Sequence, residues 1–411
     1  MSGEILFLAH RIPFPPDRGD KIRSHHILKA LARLAPVHVA TFADNEQDRV
    51  HEAELAAVAA THRLALRSKP LALAGLEALA THRPVSLPAF DDAALRRFVR
   101  ETLRDRPIAT IYVFSSQMAQ YVPADFAGRV VMDFVDVDSA KFEAYAEHAA
   151  QPRKTLYRRE ARLLSQWEEQ AAQRAAVSLF VTEQEAALFR ARLDLATRAA
   201  CTNRALGNGI DFEHFSPALA RPEPRLANGA GPHLLFAGQM DYPPNVSAAV
   251  RFARLMPAIR ERFTQAAFHV VGRNPTAAVQ ALDGRNGTTV WGRVDDMRPW
   301  LAAADIVVAP LEIARGVQNK VLEALAMARP VLASSEAATG VAVRDGVEIA
   351  IADSDAAFVD RAIALLGDPE TRARMGDAGR QFAMDNLSWA ATTTELAGIV
   401  RLKRGVARDA A

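Results

Sequence analysis

Short apolar runs of strand length alternate with longer amphipathic segments along all 411 residues. In the first half, residues 5–9, 37–42, 108–114, 130–135 and 178–182 form such runs, and helical patterns at 21–34, 92–103 and 155–176 lie between them. A second series then starts over, with runs at 233–237, 267–271, 288–291, 306–309, 330–333 and 348–351. Near-continuous apolar runs separated by amphipathic helices predict an α/β chain with parallel sheets covered on both faces. Between the two series, residues 208–232 (NGIDFEHFSPALARPEPRLANGAGP) are rich in Pro and Gly without periodicity, which predicts a linker.

That pattern predicts a first domain over 1–207, a second over 208–387, and a C-terminal helix over 388–411 crossing back to the first. Two doubly wound domains on one hinge imply a cleft, with ligands outside the carboxyl ends of the strands. Composition changes little. The formal net charge of +2 and the near-balance of each half, 28 cations against 25 carboxylates in residues 1–205, argue against a dedicated nucleic-acid binder. A lone Cys201 can form neither an internal disulfide nor a cysteine metal cluster. The start, MSGEILFLAH, lacks a basic n-region, and the apolar stretch 71–80 (LALAGLEALA) is too short to span a bilayer, so the expectation is a cytoplasmic protein. Arginines from Arg63 to Arg106 make a local basic region beside that stretch, read either as solvated surface or as a peripheral contact with the inner membrane face.

The most informative segment is 315–334, RGVQNKVLEALAMARPVLAS. Gly316 and Val317 follow a predicted strand and precede a helix, so backbone N–H groups and the positive dipole end would face a phosphate there. Asn319, Lys320 and Glu323 recur at helical spacing beside that end. Lys320 can supply a point charge to a diphosphate, and Glu323 can accept hydrogen bonds from the vicinal hydroxyls of a ribose. The plain reading is a surface ion pair between Lys320 and Glu323.

This segment resembles the C-terminal signature of glycosyltransferase family 4, the group 1 glycosyltransferases. PFPPDRGDKIR (13–23), NGIDFEHFSP (208–217), GQMDYPPN (238–245), VVGRNP (270–275), VWGRVDD (290–296) and ADIVVAP (304–310) resemble further family pieces in the right order. The start, the DFVDVDSAKF segment and the GVQNKVLEA helix resemble the sugar transferases of PEP-CTERM and exosortase-type exopolysaccharide systems. The resemblance implies a GT-B fold: two Rossmann-like doubly wound parallel-sheet domains facing across a cleft. It also implies metal-independent sugar transfer, with retention, from a nucleotide-diphosphate sugar to a glycan or lipid-linked acceptor. On the donor side it points to Gly19, Gly238, Gln239, Gly272, Arg273, Arg293, Val294, Arg315, Gly316, Val317 and Asn319, with Lys320 and Glu323 at the reacting diphosphate sugar.

Two departures bear on the donor. Arg315 stands where family members carry the first Glu of the helix motif, and Gln239 and Pro244 stand where an Arg and a Lys commonly hold the diphosphate. Lys320, with Arg315, is the expected replacement for that charge. On the acceptor side His10, Lys21, Arg23, Asp133 and Asp138 are candidates, with Asp136 polarising the attacking hydroxyl; for Lys21 and Arg23 the plain reading is the solvated face of a helix. Asp136-Val137-Asp138 also reads as a DxD metal element, a weak pattern, and no metal or other cofactor is expected. Two other functions fit the same fold: a nucleotide-sugar epimerase and a non-catalytic nucleotide-sugar-binding subunit.

Overall fold

The computed structural model describes residues 3–314 and 317–401. The chain divides into two compact units: Met1–Gly207 together with the chain from Thr393 onward, and Asn208–Thr392.

The first unit is built on a seven-stranded sheet, β1 (Glu4–Ala9), β2 (Val37–Ala43), β3 (Thr61–Leu66), β4 (Ile108–Phe114), β5 (Arg129–Val135), β6 (Val177–Phe180) and β7 (Asn203–Ala205). Every pairing is parallel and the order is β3-β2-β1-β4-β5-β6-β7. The central strand shows why its sequence is apolar throughout. Leu6 and Leu8 join a core with Ile111 and Val113 on one face, while Ile5, Phe7 and Ala9 join a core with Tyr112 and Phe114 on the other. Helices α1 (Gly19–Ala32), α2 (Leu71–Thr81) and α3 (Arg153–Arg174) lie among the connections, and α1 buries Ile27, Leu28 and Leu31 in the second of these cores. The same core takes in Leu396, Ile399 and Val400 from the short helix Leu396–Val400. Thr110 Oγ1 donates to Val400 O at 3.1 Å and Arg129 Nε to Ile399 O at 2.6 Å, fixing that helix to β4 and β5.

Two strands lie outside the sequence expectation, and both are edges. In β3, THRLAL, only Ala65 is buried, and β7 has three residues. A half-exposed or very short edge strand lacks the apolar run that betrays a buried one.

The second unit has six parallel strands, β8 (His233–Ala237), β9 (Ala267–Val271), β10 (Thr288–Gly292), β11 (Ile306–Ala309), β12 (Val331–Ala333) and β13 (Ala350–Ile351), in the order β10-β9-β8-β11-β12-β13. Helices α4 (Pro243–Arg262) and α5 (Asn319–Ala326) follow β8 and β11. In each unit the strand order reverses beside the first strand, between β1 and β4 and between β8 and β11. The carboxyl ends at these reversals are where open α/β sheets hold ligands.

The stretch 208–232 is not a free tether. Ile210 pairs with Ser388, and Leu226 is fully buried in the second unit's core. A Cβ at Gly209 would lie 2.5 Å from the Trp389 backbone nitrogen, so the turn needs a residue without one. Near the other end, the helix expected over 388–411 begins at Ser388, whose Oγ accepts from Ala391 N at 3.0 Å, but is broken into two short helices, Trp389–Thr393 and Leu396–Val400, and its remainder from 402 lies outside the described residues.

Candidate functional site

In the second unit the loops after β8, β9 and β10 are stitched together at their glycines. Gly238 N donates to Val271 O at 3.0 Å and Gly272 N to Gly292 O at 2.8 Å. A Cβ on Gly272 would fall 1.6 Å from Gly238 O, and one on Gly238 would fall 2.8 Å from Asn245 Nδ2. Gly272 is therefore required by close approach of backbone, whereas Gly238 makes way for the Asn245 side chain. Gly292 sits at φ +69° with open space around its missing Cβ, so there the conformation, not packing, requires glycine. The exposed Arg273 reaches across to Gln239, Nη2 donating to Oε1 at 2.9 Å. Arg293 is also exposed, with Val294 half-buried beside it.

Lys320 lies in the first turn of α5, whose N-cap residue Gln318 makes no side-chain capping bond to the helix. The first N–H groups of a helix have no intrahelical partner, so those of Asn319 and Lys320 are oriented toward whatever sits beyond the helix end. Lys320 Nζ donates to Asn245 Oδ1 at 2.6 Å and lies 4.7 Å from the centroid of the Phe236 ring. Asn245 is buried and its Nδ2 donates to Gln239 O at 3.0 Å. One amide thus ties the loop after β8 to the cation of α5, and the aromatic face supplies a second attraction for the ammonium. Burial pushes Lys320 down to about 8, partly offset by the Glu323 carboxylate. Burial likewise pushes Glu323 up to about 7, opposed by the Lys320 charge. Hydrogen bonds to Asn245, with Glu323 only a through-space neighbour, make this something other than a solvated surface ion pair. Arg315 and Gly316 lie outside the described residues.

In the first unit the end of β1 carries a dense charge network. Asp20 accepts from Arg11 Nη1 at 2.7 Å and Arg18 Nε at 2.8 Å, and its carboxylate is 3.2 Å from His10 Nε2. Burial opposes the Asp20 charge, but the hydrogen bonds from His10 and Arg18 and the charges of His10 and Arg11 outweigh it, holding the carboxyl well below the usual range. His10 stacks on Phe114 with centroids 5.8 Å apart. Gly19 is exposed, and a Cβ there would meet nothing within 4 Å, so packing does not enforce that glycine.

Two acceptor-side expectations, Asp133 and Arg23, and the plain reading of Lys21 are corrected. Asp133 is fully buried and its oxygens accept from Arg23 Nε at 3.1 Å, Arg23 Nη2 at 3.1 Å and the Tyr112 hydroxyl at 2.8 Å. Arg23 is also fully buried and donates from Nη1 to Leu206 O at 2.8 Å. This pair ties α1 to β5 and to the chain after β7; neither member is on a surface that an acceptor could touch. Lys21 is 4% exposed and donates to Asp48 at 2.7 Å, so it is not on a solvated helix face.

Asp136 and Asp138 remain at the end of β5. Val135 just before them has φ +72°, and Ser115 at the end of β4 has φ +75°. A β-branched residue in that region is strained, and such strain gathers at functional sites. Desolvation lifts the Asp136 carboxyl to about 6, helped by the charges of Glu185 and Asp138. Asp138 is raised as well, by burial first. The second-layer carboxylates are engaged elsewhere: Glu185 Oε2 accepts from Val137 N at 2.9 Å, and Glu168 accepts from Ser139 N at 3.0 Å and from Ser139 Oγ at 2.6 Å. Among the described residues no group of three or more His, Cys, Asp and Glu side chains is placed to hold a metal ion.

Sequence reasoning missed Asn245, Phe236 and Asp20. Asn245 has a visible signal, an Asn following two prolines at a helix start; Phe236 and Asp20 have none, since a strand Phe and a helix-start Asp are ordinary in both places.

Comparison with known proteins bears on this arrangement. The family model described as glycosyl transferases group 1 matches residues 231–368. Solved structures match over almost the whole chain. A sucrose-phosphate synthase from Thermosynechococcus elongatus aligns with a TM-score of 0.67 at 17% identity, covering 97% of this chain and 98% of that one. The chain has the GT-B fold. HepE from Anabaena, solved with UDP and glucose, aligns at 0.65 and 15% identity over 97% and 99%. WaaG, a glycosyltransferase involved in lipopolysaccharide biosynthesis, aligns at 0.61 and 16% over 98% and 100%. A curated relative, the GDP-mannose-dependent alpha-(1-6)-phosphatidylinositol monomannoside mannosyltransferase of Mycolicibacterium smegmatis, is 28% identical over 214 residues, 48% of this chain. The match spans 55% of that relative's length. The stretch that matches the group 1 glycosyl transferase model contains all of β8 to β13, Asn245, Lys320 and Glu323.

Proposed function

We propose that this GT-B protein is a glycosyltransferase that moves a sugar from a nucleotide-diphosphate sugar to a glycan or lipid-linked acceptor, with retention, in cell-surface polysaccharide assembly. The observation that carries the reading is Lys320, desolvated, held by Asn245 and seated on Phe236 beside the first N–H groups of α5. A diphosphate leaving group needs its developing negative charge stabilised more than it needs proton transfer, and a preorganised cation at a helix N-terminus does that. Gly292, with open space about its missing Cβ, leaves room for a nucleotide at the strand ends, and Glu323 is the group to accept from sugar or ribose hydroxyls. In the first unit His10 and Asp136 serve the acceptor, Asp136 with a carboxyl raised toward the range useful to a base. No metal takes part in this scheme. The positive charge that an Arg and a Lys supply to the diphosphate in other group 1 sequences is carried here by Lys320 and, in the scheme, by Arg315.

The relative uses GDP-mannose by its name and HepE was solved with UDP-glucose by its title, so the donor panel should hold both nucleotides. The sequence resemblance to exosortase-associated transferases makes a lipid-linked exopolysaccharide precursor the acceptor to try first. The test is transfer of radiolabelled sugar to extracted lipid, with and without EDTA. Donor turnover independent of any acceptor would mean an epimerase or hydrolase, and donor binding without turnover a binding subunit. Lys320→Ala is expected to lower kcat/KM about 100-fold or more through loss of one charge-assisted contact to the leaving group; a rate near wild type sinks the assignment.

A further inference from the structure

Helix α2 is built inside out. Its buried residues are Ala74 and Ala78, while Leu71, Leu73, Leu76 and Leu79 are 72%, 54%, 65% and 55% exposed. At 100° per residue, Leu73, Leu76 and Leu79 fall with Ala72 and Ala80 on one arc of roughly 120°, opposite the two buried alanines. Single exposed leucines are ordinary, but a whole helix face of them marks an interaction surface.

The charge around that face identifies the partner. Of the four Lys and Arg in residues 63–83, Arg67 is paired with Asp44 at 3.2 Å and Lys69 with Glu77 at 3.0 Å, while Arg63 and Arg83 have no ion-pair partner within 4.0 Å among the described residues. Arg159 of α3 donates to Ala78 O at 2.7 Å and to Arg83 O at 3.3 Å, which sets the start of α3 beside the end of α2. Residues 153–162, at that start, contain five cations against one carboxylate. Arg153, Arg158 and Arg162 are exposed, and none has an ion-pair partner within 4.0 Å among the described residues; Leu156 between them is 47% exposed. Leucines flanked by the unpaired Arg153, Arg158 and Arg162 match the boundary of an anionic bilayer, apolar below and negative at the phosphates. A second copy of this chain fits poorly, because a two-fold contact through the same face would bring the same cations together.

We propose that the exposed face of α2, flanked by the start of α3, is a docking surface for an anionic lipid bilayer, with the leucines at the level of the headgroups and the arginines on phosphate. Among the described residues no helix is long and apolar enough to cross a membrane, so this contact is interfacial. It would hold the first unit against the surface where a lipid-linked acceptor resides, yet it stands independently of the transfer reading.

The test is co-sedimentation of the full chain with phosphatidylcholine vesicles and with vesicles containing phosphatidylglycerol, in the absence of any donor. The expected result is binding to the anionic vesicles that weakens with salt and falls at least about tenfold in Leu73→Gln/Leu76→Gln and in Arg153→Glu/Arg158→Glu. Both variants change exposed side chains, so thermal melts should match wild type and certify the fold. Binding unchanged in both variants, or wild-type chain that leaves anionic vesicles in the supernatant, overturns the proposal. So does a solution dimer, seen by light scattering, that the leucine variant dissociates.

Discussion

At the scale of single residues, the partner of a desolvated charge decides whether it is spent within the fold or left available to a ligand. Lys320 is the cation whose partners, an amide oxygen and a ring face, leave its charge unneutralised. With its titration lowered to about 8 by burial, kcat/KM should fall as pH rises through about 8, because the free enzyme loses the proton that carries the charge. In Lys320→Arg that alkaline limb should disappear, since a guanidinium stays charged; an identical limb in the variant would assign the titration to another group. Arg23 is the opposite case. Its charge is matched within the fold by Asp133, and Arg23→Met would strand a buried carboxylate, with an expected loss of about 3–5 kcal/mol in chemical denaturation. A loss below 1 kcal/mol would mean that Asp133 takes up a proton or water instead. The sequence shows Lys320 and Arg23 as the same kind of object, a basic residue in the first turns of a helix. What separates them, an Asp 110 residues away on the neighbouring strand, is visible only once β5 is placed beside α1.

At the scale of elements, glycine positions in the second unit are legible as turns but not as contacts. Gly272 follows a predicted strand, and turn chemistry alone would tolerate substitution there. Its position against Gly238 O changes that expectation: Gly272→Ala must push apart the loops after β8 and β9. We expect soluble but destabilised protein, down by about 2 kcal/mol or more, with donor affinity reduced beyond what global unfolding explains. Wild-type stability in that variant would contradict the loop geometry. Strands gave a similar lesson. Those with four or more consecutive apolar residues, such as β1 and β4, are readable because both faces are buried, whereas β3 hides its pairing behind His62 and Arg63 on the sheet edge. For α2 the apolar pattern was readable, but its direction was not, since only contacts reveal that alanines face in and leucines face out.

For the whole molecule, the two-series pattern of apolar runs carries directly into two sheets with the same relation of first strand to reversal point. Global stability should depend on acid in a defined way. Trp291 Nε1 donates to His269 Nδ1 at 3.1 Å, so His269 carries its proton on Nε2 and gives it to His233 Nδ1 at 3.0 Å. Burial, with the His233 charge, lowers His269 to about 4 from its ordinary 6.5. A depressed folded value means that its contribution is complete above pH 6.5 and is lost as pH falls toward 4, by about 3 kcal/mol. Unfolding free energies of wild type and His269→Gln, compared across pH 7 to 4, should diverge in that window; parallel curves would remove the histidine pair as an acid-sensitive element.

The central claim is that the second unit binds a nucleotide diphosphate through Lys320. Calorimetric titration of GDP, UDP, ADP and TDP into the full chain and into Lys320→Ala tests it most directly. The account predicts that one nucleotide binds the wild type measurably better than the others and that the variant loses roughly tenfold or more of that affinity, as expected for one charge-assisted hydrogen bond. Equal affinity in wild type and variant, for the preferred nucleotide, would contradict it.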